Sequence, residues 1–125
     1  MLLIKTYLDK SPIHGVGVFT AEGVKQGTPV WQFNPLIDRI LIPEQLEQLP
    51  AITRTFIESV AIPYPFGTGN YCLALDHASY MNHSLEPNVS SQEINLALRD
   101  IPKGTELTVN YYKEDHRADE SDFVE

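Results

Sequence analysis

Apolar and polar positions alternate along most of this chain, but only in short bursts. Residues 2–8, LLIKTYL, predict an opening strand. SPIHGVGVFTAE, residues 11–22, offers a turn, two close glycines and an apolar-alternating strand. VKQGTPVWQF, residues 24–33, gives a tight turn and another strand. The period then lengthens. In PEQLEQLPAITRTFIESVA the apolar Leu46, Leu49, Ile52, Phe56 and Ile57 recur at near-helical spacing, so residues 43–60 predict one or two short helices. Pro43 suits a first helical position and Pro50 divides the stretch.

Prolines and glycines make PYPFGTGN, residues 63–70, a loop. YCLALD, residues 71–76, is an apolar run of buried-strand length. INLALRD and TELTVNYY predict strands joined by Ile101-Pro102-Lys103-Gly104. One internal echo stands out. Residues 18–30 align without gaps on residues 95–107, matching Phe19 with Leu96, Val24 with Ile101, Val30 with Leu107 and Gly27-Thr28 with Gly104-Thr105. Two hairpins of similar shape would account for it. No helix alternates between strands, so the pattern predicts a β-rich domain of several short sheets with one helical insert.

Size and composition support a single domain with its own core. The chain has 125 residues, of which 42% are hydrophobic and 21% charged. Its single cysteine, Cys72, rules out an intrachain disulfide and a cysteine-based zinc site, and favours a reducing compartment. MLLIKTYLDK carries no hydrophobic run of signal-peptide length, and no stretch approaches the ~20 apolar residues of a membrane span. The expectation is a soluble, cytoplasmic protein. A formal charge of −8 repels nucleic acid phosphates and attracts cationic partners. Part of that charge lies in residues 114–125, EDHRADESDFVE, which read either as a solvated tail or as a collector of a basic substrate.

The candidate chemistry lies where regular structure breaks down. In SYMNHSLEPNV, residues 79–89, Asn82, His83 and Ser84 stand in a row before Pro87 and Asn88, between apolar flanks. Such side chains compete with the backbone for hydrogen bonds, which makes the segment an elaborate turn or a site. His14, His77, His83 and His116, with Asp76, could in principle hold a metal, but their spacing fits no metal signature and none is expected.

Three motifs occur in a fixed order: Gly15-Val16-Gly17, then Tyr80-Met81-Asn82-His83-Ser84 with Pro87-Asn88, then GTELTVNY at 104–111. Together they resemble the SET-domain family of protein-lysine methyltransferases over nearly the whole chain. The resemblance implies a mainly β, β-clip-like fold with a knot-like C-terminal threading, a domain over residues 1–112, and an acidic tail at 113–125. It also implies the cofactor S-adenosyl-L-methionine, bound by Gly15, Val16, Gly17, Tyr80, Asn82 and His83. Glycine lets backbone approach a ligand closely, and an Asn amide offers both a donor and an acceptor. Ser84 would brace the turn and Pro87-Asn88 would end it.

Tyr111 matches the family's catalytic tyrosine. A lysine amine must arrive uncharged, and a nearby sulfonium together with loss of water lowers its pKa. The phenol then orients the amine and stabilises charge on the moving methyl group. Tyr64, Phe66, Tyr71 and Tyr112 are candidate walls for the lysine stem and its methylated head. The chain departs from the family at Leu85, where Cys is frequent, and at Asn110, where Asp is frequent. It also lacks the cysteine-rich segment that closes the substrate channel in many members. The tail, with Phe123, or a second copy in a homodimer could close it instead. The implied function is methyl transfer to lysine in a basic, histone-like protein or peptide, with neither nucleic acid nor membrane as partner. The alternative is an interaction module that binds the cofactor without efficient turnover.

Overall fold

The computed structural model describes residues 1–64 and 68–111. The first hairpin is antiparallel: β1 (Thr6–Lys10) pairs with β2 (Val16–Thr20), Thr6 facing Thr20 and Lys10 facing Val16. Ser11 makes its turn. The Ser11 N–H donates to the Gly15 carbonyl at 2.8 Å, and its hydroxyl oxygen accepts from the N–H groups of Ile13 and His14 at 2.9 and 3.3 Å. Gly15 completes the turn at φ +48°, which glycine adopts without strain. The strand opens later than the pattern of residues 2–8 suggests. Leu2 makes only an isolated bridge to Trp31, and Leu2 and Ile4 pack on the core instead.

The next sheets are equally small. β3 (Pro29–Gln32) follows, and β4 (Asp38–Leu41) leads into the helical insert. β5 (Ile62–Pro63) and β6 (Tyr71–Ala74) then form a three-stranded antiparallel sheet with β4, β6 at its centre. A central strand explains the unbroken apolar run there. Tyr71 and Leu73 pack on the cluster beneath the helices, whereas Cys72 and Ala74 pack with Trp31 on the opposite face. The run ends sooner than the sequence suggests, since Leu75 lies exposed beyond the strand. Burial, and next the Asp38 carboxylate, push the Cys72 thiol up to about 12, so it stays protonated and unreactive at neutral pH.

The insert divides as Pro50 dictates, into α1 (Pro43–Leu46) and α2 (Ala51–Val60). Pro43 occupies the first turn, and the Gln45 side-chain oxygen accepts the Ile42 N–H at 3.0 Å. Leu46 and Ile57 are buried against Leu41 and Ala61, with Leu49 beside them. Two residues of the near-helical stripe are not: Ile52 is 82% exposed and Phe56 62%. The three short strands beneath offer a surface too narrow for more than one edge of α2.

The two strands predicted on either side of Ile101-Pro102-Lys103-Gly104 do not pair with each other. β7 (Asn82–His83) runs parallel to β9 (Thr108–Val109), while β8 (Ile94–Leu96) is antiparallel to β3. Of the 105–112 strand predicted by alternation, the described residues put only Thr108–Val109 in a ladder, while Glu106 and Leu107 are held by single contacts to β2.

The internal echo has a different origin from two separate hairpins. The two echoing segments lie antiparallel against one another. Val24 and Ile101 exchange both backbone hydrogen bonds, at 2.8 and 2.7 Å, and sit at the centre. On one side Leu107 N–H donates to the Val18 carbonyl at 2.8 Å and Phe19 bridges Glu106; on the other Pro29 faces Leu96. Each segment thus repeats the other about a local two-fold through Val24 and Ile101. The matched glycines Gly27 and Gly104 have φ of +84° and +81°. Val18, Val24 and Val30 of one segment and Ala97, Ile101 and Leu107 of the other form the main core with Met81, Val89 and Val109, while the matched Phe19 and Leu96 are not part of it.

No helix among the described residues is long and apolar enough to cross a membrane. Leu107 is fully buried in this core, so Leu107→Ala should cost about 2–5 kcal/mol in urea unfolding. Ile52→Ser on the outer face of α2 should change stability by no more than about 0.5 kcal/mol.

Candidate functional site

Three segments converge beside the first hairpin: its turn, the 77–89 stretch, and the run into β9. Asp76 fixes the second. Its carboxylate accepts from the N–H of Ala78 at 3.0 Å and of Leu2 at 2.8 Å, capping a single 3-10 turn at His77–Tyr80. That turn buries Met81 and delivers Asn82 and His83 into β7. The Ser84 hydroxyl oxygen accepts the Glu86 N–H at 3.0 Å, bracing the loop as its sequence suggests. Asn88 does more than end it. Its buried amide accepts from Thr108 N–H at 2.9 Å and donates to the Glu106 carbonyl at 2.8 Å, substituting for a neighbouring strand. With Ser84 N–H on Val109 and Val89 N–H on Thr108, both arms of the 82–89 loop hold the last strand.

Asn82 is the hub. Four acceptors lie around its Nδ2: the Glu106 carboxylate at 2.9 Å, the His14 carbonyl at 3.0 Å, the Ser11 hydroxyl at 3.1 Å and the Val16 carbonyl at 3.3 Å. An amide nitrogen has two protons, so this centre holds more lone pairs than donors. It is chemically suited to a positively charged group. Gly17 explains its own identity here. A Cβ at that position would stand 2.3 Å from Glu106 Oε2 and 2.8 Å from its Cδ, so only glycine lets the carboxylate lie against β2. The close approach at Gly17 is to this side chain, and at Gly15 a Cβ would meet nothing within 4 Å.

His83 and Tyr111 form the other half. The Tyr111 backbone N–H donates to His83 Nδ1 at 3.0 Å, and their rings stand 5.3 Å apart at 50°. An acceptor Nδ1 places the ring proton on Nε2 and requires a neutral imidazole. Burial acts in the same direction, holding the His83 pKa below its ordinary 6.5. The Tyr111 hydroxyl donates to the Met81 carbonyl, which ties the phenol to the stretch that carries Asn82.

Gly15, Val16, Gly17, Asn82, His83 and Tyr111 are therefore brought to one locus. Tyr80 follows at the end of the 3-10 turn, 45% exposed. The predicted channel aromatics separate. Tyr64 packs edge-on against Trp31 and stacks on Phe33, with ring centroids 5.4 and 6.0 Å away. Tyr71 packs under the helices. Neither joins the cluster that Tyr111 packs against. Phe66, Tyr112 and the tail at 113–125 lie outside the described residues. Of the histidines weighed for a metal, His77 shares a hydrogen bond with Thr6 Oγ1 at 2.9 Å and His83 is committed to Tyr111. Among the described residues no three His, Cys, Asp or Glu side chains gather as a metal site would need.

Sequence reasoning missed two members of the site, Ser11 and Glu106. Glu106 had one visible signal, its place in the GTELTVNY motif directly before the buried Leu107.

The SET-domain family profile matches residues 15–112, and the chain belongs to that family. A Plasmodium falciparum candidate histone methyltransferase superposes with a TM-score of 0.60 at 21% identity, covering 93% of this chain and 100% of its own. Two structures of the Chaetomium thermophilum Polycomb Repressive Complex 2 also match. A humanized mutant bound to an inhibitor gives a TM-score of 0.61 at 20% identity, and an apo form gives 0.64 at 22%. In both, the match covers 86% of this chain but only 15% of the other. These likenesses establish the mostly β architecture of small sheets. No curated protein matches the chain by sequence.

The depressed His83 pKa has a definite sign. A histidine that is harder to protonate when folded contributes stability that is complete above about pH 6.5 and lost as pH falls. The melting temperature should drop between pH 7.5 and pH 5.5, and His83→Gln should shallow that drop, as read by calorimetry across the range.

Proposed function

We propose that this chain transfers a methyl group from S-adenosyl-L-methionine to the ε-amine of a lysine, leaving S-adenosylhomocysteine. The observation that carries this reading is the meeting of Tyr111, His83 and Asn82 with the 14–17 backbone at one locus. Membership of the SET-domain family supports it. The residues present fit the cofactor, because the acceptor-rich centre around Asn82 suits the ammonium of such a molecule's amino-acid end. When bound, the cofactor supplies an electrophilic methyl on a sulfonium.

Every other task falls to the chain. The carbonyls of His14 and Val16, with Asn82, bind and orient a positively charged group. Neutral His83 stays in place without adding a like charge that would oppose it. The incoming amine reaches the site deprotonated, since a desolvated amine beside a cation loses its proton more readily. Tyr111, anchored through Met81, directs the amine lone pair and offers its oxygen to the charge that develops.

The formal charge of −8 supports a basic protein or peptide as substrate, with a histone-like tail as one form of it. The domain spans residues 1–112, and closure of the lysine channel falls to residues 113–125 or to a second copy in a homodimer. The cytoplasm is the matching compartment. A cofactor-binding module without turnover is separated by the same assay, since it would bind the cofactor and label nothing.

Radiolabelled methyl transfer to a panel of basic proteins tests the reading. Tyr111→Phe should lower kcat by about a hundredfold or more, the scale for removing one preorganised group at a developing charge. Stability should fall by only about 1 kcal/mol, for the lost hydrogen bond to Met81. Equal labelling by both proteins would remove Tyr111 from the mechanism.

A further inference from the structure

Beyond adding lone pairs to the centre around Asn82, Glu106 has been given no task so far, yet the site is built around its carboxylate. The antiparallel bridge to Phe19 sets its backbone beside β2, and the side chain turns back against Gly17. There the carboxylate accepts from the Ser11 hydroxyl, 2.9 and 2.8 Å from its two oxygens, and from Asn82 Nδ2 at 2.9 Å. Ser11 is constrained in turn. Its oxygen takes the N–H groups of Ile13 and His14, so its single proton goes to Glu106.

An amide has two ends of nearly equal size, one donating and one accepting. Nothing in the shape of a cavity chooses between them. At Asn82 the choice is electrostatic, because an ionised carboxylate only accepts. With Glu106 on one side and the carbonyls of His14 and Val16 nearby, Nδ2 must face this cluster. Oδ1 is then committed to the other end. A reversed amide would set oxygen against a carboxylate and two carbonyls.

We infer that Glu106, braced by Ser11, is a positioning residue for the cofactor site: it holds the Asn82 amide in the one orientation that presents Oδ1 to a donor group of the bound cofactor. This rests on the methyl-transfer reading, and it assigns Gly17 a second purpose, to leave room for the carboxylate that does the orienting.

The test is Glu106→Gln, which keeps the shape but replaces an obligate acceptor with a group that can donate. Titration calorimetry with S-adenosylhomocysteine should show affinity falling about tenfold, while the melting temperature moves by no more than a few degrees. The side-chain amide resonance of Asn82 in a 15N-labelled sample should shift, which a merely structural role for Glu106 would not require. Ser11→Ala should weaken binding in the same direction by about threefold, and it decides the matter if Glu106→Gln does not fold. Gly17→Ala should weaken binding about as much as Glu106→Gln in the natural chain but add little to Glu106→Ala, because the clash has gone. Wild-type affinity in Glu106→Gln, with the Asn82 resonance unmoved, would overturn this inference alone. A natural chain that fails to bind S-adenosylhomocysteine would overturn the methyl-transfer reading along with it.

Discussion

Everything in this protein depends on one antiparallel pairing, that of residues 18–30 with residues 95–107. The backbone exchange between Val24 and Ile101 sets its centre, and Leu107 bonded to Val18 extends it toward the site. Each segment delivers three apolar side chains into the same core. Moving out from Val24 and Ile101, the pairing reaches Phe19 and Glu106, which puts a carboxylate against Gly17. Directly after it come Thr108 and Val109, available to Asn82 and His83 as parallel partners. The core and the candidate site are thus one construction read at two points along the same pair of segments.

The site that results is unusual in its balance of donors and acceptors. Backbone carbonyls, a serine oxygen and a carboxylate crowd one amide nitrogen, while the imidazole alongside is kept neutral by burial and by the Tyr111 N–H it accepts. Such a centre discriminates by charge before it discriminates by shape. A cation entering it finds lone pairs already aimed, at no cost of reorganisation.

The local punctuation of this architecture was legible in the sequence. Pro50 split the insert where proline forbids a continuous helix, Gly15 marked a turn, and the Asn-His-Ser run marked a break in regular structure. What escaped was decided by long-range partners. Ile52 and Phe56 fall on the periodic stripe of α2, yet the sheet below is too small to cover them. The echo was visible as a repeat, but a repeat in one dimension cannot say whether its copies stand apart or pair with each other. Ser11 and Glu106 meet across 95 residues of chain, so no local pattern announces their contact. Tyr64 and Tyr71 carry the same ambiguity from the other side, since aromatic residues that suit a lysine wall suit ordinary packing equally well.

The length of chain enclosed by those contacts also governs when the molecule becomes competent. Thr20 meets Pro102 across 82 residues, and closing a loop of that size costs about 4 kcal/mol of chain entropy before any contact offsets it. Folding dominated by such distant partners is slow and cooperative. During synthesis on a ribosome the early hairpin emerges long before its complement exists. Gly17 lies in that early hairpin and Glu106 beside its complement, so their contact waits on this closure.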